Sequence, residues 1–462
     1  MTEPQLESIV ELPLTYSENS EPIFSSIRDM EWPIWLDSGE SLLSSSARYD
    51  IISAAPSHKL IGHNKSCAVF KTGSDQDKQE YANCWAALDA LTPHINHSPT
   101  HPFTGGALGY LGYDVGRELE TLEDQISPDH DLPNALMGIY QWAVIQDHEK
   151  QSCTLVHTQQ CPHETIEEVQ KRLATRTPKE TKRKFLATDF KPLVDKQTYL
   201  EQVNRIQQYI NSGDCYQVNF SQRFEANYKG DSFQAYLHLR SELQSPFSCF
   251  FETEFGAVLS LSPERFISCH QGKVTTQPIK GTAARGSNEE SDRRLSEALR
   301  NSEKDIAENL MIVDLLRNDL SKCCEPNSVK TPKLFSLESY PNVHHLVSTV
   351  TGELSRGKAP LELLKACFPG GSITGAPKIR AMEIIEELEA HRRSVYCGSL
   401  GYISFNGNMD TSIAIRTAIA EKETIYIWGG GGIVADSVPE EEFDESIVKI
   451  RRIMKGFASI SH

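Results

Sequence analysis

Glu308 stands three residues before Met311, four before Ile312 and seven before Leu315, so on a helix its carboxylate projects from an apolar stripe. A bare carboxylate there is costly and has to be paired, protonated or bound to a metal, although the same spacing also suits an ordinary glutamate near a helix end. Near the C-terminus Glu441, Glu445 and Lys449 recur at intervals of four, on a different face from Phe443, Ile447, Ile450 and Met454. Such a ladder is usually a solvated surface worth about 0.2–0.5 kcal/mol per pair. Just upstream runs Gly429-Gly430-Gly431-Gly432, and glycines ahead of a helix let backbone N–H groups approach an anion closely, or simply make a flexible turn. Residues 410–419 alternate, with Thr411, Ile413, Ile415 and Ile419 on one side and Asp410, Ser412, Ala414 and Arg416 on the other, which reads as one strand. Arg416 then faces a small, polar side, where its guanidinium can grip a carboxylate with two parallel hydrogen bonds or close a structural salt bridge. The run 369–378 is glycine-rich like a phosphate loop, but Gly375 is followed by Ala376 and Pro377, which disfavours a P-loop nucleotidase. Pro377 reads instead as the first turn of a helix.

The elements that must position these residues follow from periodicity and turn chemistry. Helices are expected over 198–212, 289–320, 377–389 and 440–458, and neighbouring antiparallel strands over 255–262 and 265–278, the second folded by a turn at 271–273. The first part of the chain reads as short strands and turns at 32–36, 49–52 and 105–113, then a helical run from 164 and a charged segment, 177–184. Consecutive hairpins among long helices predict an α+β fold, a layered sandwich of antiparallel sheets flanked by helices, rather than a doubly wound parallel sheet. A soft boundary near residue 190 divides an N-terminal region, 1–190, expected to pack into the same sandwich, from a catalytic region, 191–462.

Composition excludes some partners. The chain has 462 residues and a formal net charge of −17, which argues against nucleic acid or an anionic membrane, since phosphate surfaces are met by basic patches. The length is enough for a large core without disulfide staples. Eleven cysteines without CxxC spacing argue against structural zinc and a thioredoxin-type motif. Unpatterned thiols suit a reducing compartment, so the expected location is the cytoplasm. The acidic N-terminus shows no secretory signal, and no stretch approaches about 18 apolar residues, so no transmembrane helix is expected.

Six segments then occur in a set order over 198–455: Ser262-Pro263-Glu264-Arg265-Phe266, Pro278-Ile279-Lys280-Gly281-Thr282, the stretch 307–319 around Glu308, His345-Leu346-Val347-Ser348, the 369–378 run and the glycine-rich approach to the last helix. Together they resemble the chorismate-utilising enzyme family. The resemblance implies that Mg2+ sits between Glu308 and Glu445 and binds the ring carboxylate of chorismate. It implies that Tyr396, Arg416, Lys449, Thr282 and the Gly430, Gly431 and Gly432 amides hold the rest of the substrate. Glu264 matches the general acid for the departing C4 hydroxyl and needs a raised pKa to hold a proton near neutrality. Lys280 matches a nucleophile that attacks C2, which requires its own pKa to be depressed. His345 matches the family's active-site histidine, a proton carrier or ring orienter, while His344 points the other way and is structural.

Lys280 sorts the chain within the family. Anthranilate, isochorismate and salicylate synthases resemble one another in carrying Ala before this Gly-Thr, and the last two also place a general-base Lys where this chain has Gln217. Both differences imply amination of chorismate at C4, towards 4-aminobenzoate and folate. Because the sequence holds no Gly-x-Cys-x-Gly turn, ammonia is expected from a separate glutamine amidotransferase subunit. The rival readings are amination at C2 with loss of pyruvate, and a non-catalytic regulator that binds chorismate or an amino acid. Feedback-inhibited relatives bind tryptophan in a pocket partly built from a Leu-Leu-Glu-Ser-type segment. Here the nearest match is Leu36-Asp37-Ser38-Gly39, with Ser46, Ala47, Arg48 and Tyr49 and then Pro246, Phe247 and Ser248 as walls. The departure from that pattern predicts a structural or vestigial amino-acid site.

Overall fold

A computed structural model describes residues 9–39, 48–63, 66–73, 77–93, 95, 101–175, 184–340 and 343–460. Two large sheets, of 13 and 12 strands, form the body of the molecule, and every ladder between named strands in them is antiparallel. The expected α+β sandwich is therefore the observed fold. Each sheet mixes strands from before and after residue 190. In the first, Ile34–Asp37 pairs with Phe247–Thr253; in the second, Gly106–Leu111 pairs with Ser399–Ser404. The charged segment at 177–184 lies almost wholly outside the described residues.

The middle strands of the first sheet are buried on both faces, so they read as continuous apolar runs whose alternate residues enter different cores. Cys249, Phe251, Val258, Ile419 and Trp428 belong to the core shared with the second sheet. Phe250, Leu259, Ala418 and Ile427 belong to a second core with Phe233, Tyr236 and Leu239 of the helix Ser232–Leu243 and Ile450, Ile453 and Phe457 of the helix Pro439–Ser459. Helices therefore cover the outer face of this sheet. Among the described residues no helix is long and apolar enough to cross a membrane.

Four sequence expectations change. The single helix over 289–320 is two helices, Glu289–Arg300 and Glu303–Ser321, because Ser302 takes an extended conformation and its hydroxyl accepts from Asp305 N, capping the second. The single strand over 410–419 is two strands in different sheets, Met409–Ile413 and Thr417–Glu421. Between them Arg416 turns to a positive φ of 51°, and the chain crosses from the second sheet to the first. The alternation was genuine on each side of the crossing but not across it. The third correction concerns Gly429–Gly432, which form no loop ahead of a helix. They lie inside the strand Thr424–Ile433, paired with Gln217–Lys229. Glycine is needed there for close approach: a Cβ on Gly429 would stand 2.1 Å from Ser446 O of the last helix, and one on Gly430 2.4 Å from Phe220 O.

A second crossing runs beside the first in the opposite sense. Gly256–Ser262 ends in the first sheet and Arg265–His270 begins in the second, with Glu264 between them, so the fourth correction is that these two segments are not paired neighbours: the first pairs with Phe247–Thr253 and Thr417–Glu421, the second with Lys273–Thr276 and Met409–Ile413. The two crossings are laced together: Leu261 N donates to Arg416 O (3.1 Å), Ile413 N to Glu264 O (3.1 Å) and Ser262 Oγ to Ile413 O (2.6 Å). Glu264 and Arg416, 152 positions apart in number, are thereby placed side by side on one rigid seam.

Candidate active site

Glu264 sits on that seam with only 5 % of its surface exposed. Burial raises its pKa to about 7, opposed by a hydrogen bond from Ser372 and by the charges of Lys280, Lys449 and Arg416. The Ser372 hydroxyl donates to Glu264 Oε1 at 2.7 Å. Lys280 lies on the strand Ile279–Ala284, and its Nζ donates to the carbonyl of the same Ser372 at 3.3 Å. Burial depresses the Lys280 pKa; Glu308 pulls the other way, Lys449 adds to the depression, and Glu264 and Glu445 oppose it. The two pKa directions demanded of an acid and an amine nucleophile are both present. Ser372, which links the two groups, was missed in the sequence: it sits in the 369–378 run, whose only legible signal was its glycines.

The adjoining strand Val343–Glu353 pairs Thr282 with His345, and Thr282 Oγ1 lies 2.9 Å from His345 Nδ1. His345 is 2 % exposed. Burial, with Arg416 nearby, lowers its pKa to about 3, so it is a neutral imidazole at any working pH. His344 faces elsewhere, between Ser339 and Asp292. The helix carrying Glu308 is fastened to this strand through Asn309, whose side chain donates to Leu346 O (3.3 Å) and accepts from Ser348 Oγ (2.6 Å).

Arg416 has no hydrogen-bond or ion-pair acceptor among the described residues, and burial together with Arg452 lowers its pKa to about 10. A half-buried cation without an acceptor can receive an anion. Tyr396 is buried and stacked on Trp428, with ring centroids 5.9 Å apart and an interplanar angle of 8°. Its neighbour Cys397 donates its N–H to Ala414 O (2.9 Å), which ties this turn to the Arg416 crossing.

Glu445 and Lys449 form an ion pair of 2.7 Å on the last helix, and Lys449 Nζ also donates to Gly430 O at 3.0 Å. Burial pushes the Glu445 pKa up, but Lys449, Lys304 and Lys280 outweigh it and the net shift is downward. Glu308 has no hydrogen-bond or ion-pair partner among the described residues. Burial raises its pKa, Lys280, Lys304 and Lys449 oppose the rise, and Glu445 adds to it. Glu442, also missed in the sequence, is buried next to Glu445, held by Ser437 Oγ (2.7 Å) and Lys304 Nζ (3.5 Å). A Cβ added to Gly431 would meet Glu442 Oε2 at 3.2 Å and Glu445 Oε1 at 3.3 Å, so the bare glycine keeps open a space walled by carboxylates. A Cβ on Gly432 would stand 2.0 Å from Gln217 Nε2, a much closer approach. No group of three His, Cys, Asp or Glu side chains among the described residues forms a metal cage. The unpartnered Glu308 carboxylate and the open space beside Glu445 nonetheless fit a hard cation that keeps waters and takes ligands from its substrate.

The N-terminal wall residues also converge, around a separate cavity of about 270 Å3 lined by Arg48, Tyr49, Pro246, Phe247, Ser248, Arg265 and Asp410, among others. Ser38 stands just behind it, donating from N and Oγ to Asp50 (2.8 and 2.7 Å). Arg48 is engaged by Asp147 through two hydrogen bonds of 2.9 and 2.7 Å. Ser46 and Ala47 lie outside the described residues.

This two-sheet frame places an acid on its seam, a lysine on a neighbouring strand and carboxylates on two flanking helices. The chain belongs to the chorismate binding enzyme family, whose profile matches residues 39–455. It is 44 % identical over 438 residues to aminodeoxychorismate synthase component 1 of Salmonella typhimurium, covering 94 % of this chain and 95 % of that one. It is 40 % identical over 373 residues to anthranilate synthase component 1 of Aquifex aeolicus, covering 77 % and 74 %. The crystal structure of anthranilate synthase component I from Streptococcus pneumoniae superposes with a TM-score of 0.78 at 32 % identity, over 89 % of this chain and 93 % of that chain.

Proposed function

We propose that this chain is the chorismate-aminating component of an aminodeoxychorismate synthase, replacing the C4 hydroxyl of chorismate with ammonia to give 4-amino-4-deoxychorismate on the way to 4-aminobenzoate. The observation that carries the reading is the pair Lys280 and Glu264 held by one residue, a half-buried amine with a depressed pKa and a buried carboxyl whose pKa is pushed up to about 7. Likeness to an aminodeoxychorismate synthase component 1 over nearly the whole chain supports it, and that relative's being one component of a synthase supports a second subunit, a glutamine amidotransferase that supplies the ammonia.

In the reaction, neutral Lys280 Nζ bonds to C2, the ring π electrons shift, and the C4–O bond breaks as Glu264 donates its proton, so that water leaves. Ammonia then bonds to C4, the π electrons return, and the C2–Nζ bond breaks with its electron pair going back to lysine. The surplus proton on the new ammonium passes to the Glu264 carboxylate, which restores the starting state. Arg416 and Lys449 bind the substrate carboxylates, and Tyr396, Thr282 and the backbone of Gly430–Gly432 shape the pocket. His345, neutral, orients the ring rather than carrying a proton. Glu308 and Glu445 would hold Mg2+, which when bound supplies positive charge for the ring carboxylate. Eleven buried thiols without a disulfide support a reducing, cytoplasmic setting.

Product identification tests the reading. With chorismate, Mg2+ and an ammonium salt, the expected product keeps its enolpyruvyl group, and a chelator is expected to abolish turnover. Fluorescent anthranilate with pyruvate release would sink it in favour of amination at C2, and no turnover of any kind would favour a binding protein. A second reading concerns the 270 Å3 cavity, which is proposed as a vestigial tryptophan site because its walls converge from three separate stretches of chain. Calorimetry is expected to register heat on adding tryptophan; a flat titration, with no tryptophan in the purified protein, would remove the idea.

A further inference from the structure

We propose that Ser372 is a positioning residue of this reaction, its hydroxyl aiming the Glu264 carboxyl and its carbonyl aiming the Lys280 amine. The inference rests on the reading under Proposed function and goes beyond it by naming what orders the two reacting groups relative to each other. Ser372 Oγ donates to Glu264 Oε1 at 2.7 Å, and no described residue bonds Oε2. Of the two carboxyl oxygens, Oε1 is thus occupied as an acceptor and Oε2 is left to carry the transferable proton. On the other side, Lys280 Nζ gives an N–H to Ser372 O at 3.3 Å. A neutral amine has two N–H groups and one lone pair, so anchoring an N–H on that carbonyl turns the lone pair away from it and towards the cavity.

One residue can hold both groups only if it does not move, and the turn around it is pinned on several sides. Thr374 Oγ1 donates to Gly370 O (2.9 Å). Arg393, fully buried and paired with Glu389 at 2.7 Å, donates from Nη1 to Ile373 O (2.8 Å). Asn219 N of the strand Gln217–Lys229 donates to Thr374 O (2.8 Å). A Cβ on Gly371 would stand 2.5 Å from the Leu315 side chain, so the turn lies flush on the helix that carries Glu308. A serine placed so firmly between two ionisable groups orders their geometry within the tolerance that proton transfer and attack require.

Ser372→Ala removes the hydroxyl and leaves the carbonyl, so it separates the two contacts. A hydroxyl donating to a carboxylate favours the charged form, so its loss raises the Glu264 pKa and moves the alkaline limb of the kcat profile to higher pH, by about half to one unit. The value of kcat is expected to fall about tenfold while the KM for chorismate stays nearly constant, because the lost contact orients a proton donor rather than the substrate. Ser372→Thr, which keeps the hydroxyl, is expected to restore both the rate and the limb. Independently of turnover, infrared titration of the Glu264 carboxyl band, assigned by its absence in Glu264→Gln, is expected to show the same upward shift in Ser372→Ala. A slower variant in which neither the limb nor the infrared titration moves would overturn the inference, since a merely structural serine behaves that way. Absence of C4 amination by the unaltered protein would instead overturn the functional reading, and the infrared shift would still report on the Ser372–Glu264 contact.

Discussion

Lys280→Ala is expected to lower the rate of chorismate amination by at least about 10^3-fold, with substrate still bound. No described side chain can take over as nucleophile. The cationic groups near Lys280 are Lys449, engaged by Glu445 at 2.7 Å, and Lys304, drawn to Glu442 at 3.5 Å. Arg416 is a cation held for an anion, not a base. Chorismate affinity, measured by calorimetry on the variant, is expected to change only a few-fold, because the carboxylate receptors remain. The fold is expected to survive as well. Lys280 is a half-buried amine whose charged form is disfavoured by desolvation, so truncating it removes an unfavourable group and the melting temperature stays equal or rises. Intact-mass analysis of the unaltered protein, quenched during turnover without ammonia, is expected to show a Lys280 adduct of chorismate less water. A variant that aminates chorismate at a normal rate, or a protein in which no adduct forms, would remove the covalent route.

The parts of this site that could be read in the sequence are those whose logic is local. Glu308 announced itself because its neighbours at three, four and seven residues are apolar, and helical periodicity turns that spacing into one face. Arg416 and the Gly429–Gly432 run stood out for composition, but their geometry was misread for the same reason. Period-two alternation holds equally within a strand and on both sides of a crossing between sheets, so nothing in residues 410–419 marks the positive φ at Arg416 where the chain changes sheet. Glycines in a row suggest a loop, yet here they let the last helix lie almost against the strand, with Ser446 O where a Cβ would be. Ser372 was invisible because its two partners are 108 and 92 positions away. Such contacts are created by two laced crossings, and no window of sequence contains them.

Glu264→Gln is the sharper test of the acid. Glutamine keeps the shape and can still accept the Ser372 hydroxyl bond, but it has no proton to give, so the expected loss in kcat is on the order of 10^2- to 10^4-fold. The pH dependence carries the assignment. Glu264, at about 7, is protonated below that pH and charged above it, so the acid-competent fraction falls tenfold per unit as pH rises beyond 7. Lys280 runs the opposite way. Its folded pKa is depressed below 10.5, and the neutral, nucleophilic fraction grows as pH rises towards it. The unaltered protein should therefore show a bell-shaped kcat/KM profile, with its acid limb from the amine and its alkaline limb from the carboxyl. In Glu264→Gln the residual activity should keep the acid limb and lose the alkaline one, rising with pH to a plateau. His345 cannot imitate this result, because burial holds its pKa near 3, so its protonation is complete only far below the range in which either limb falls. An alkaline limb that persists unchanged in the variant would mean that some other group delivers the proton, and the role given to Glu264 would fall with it.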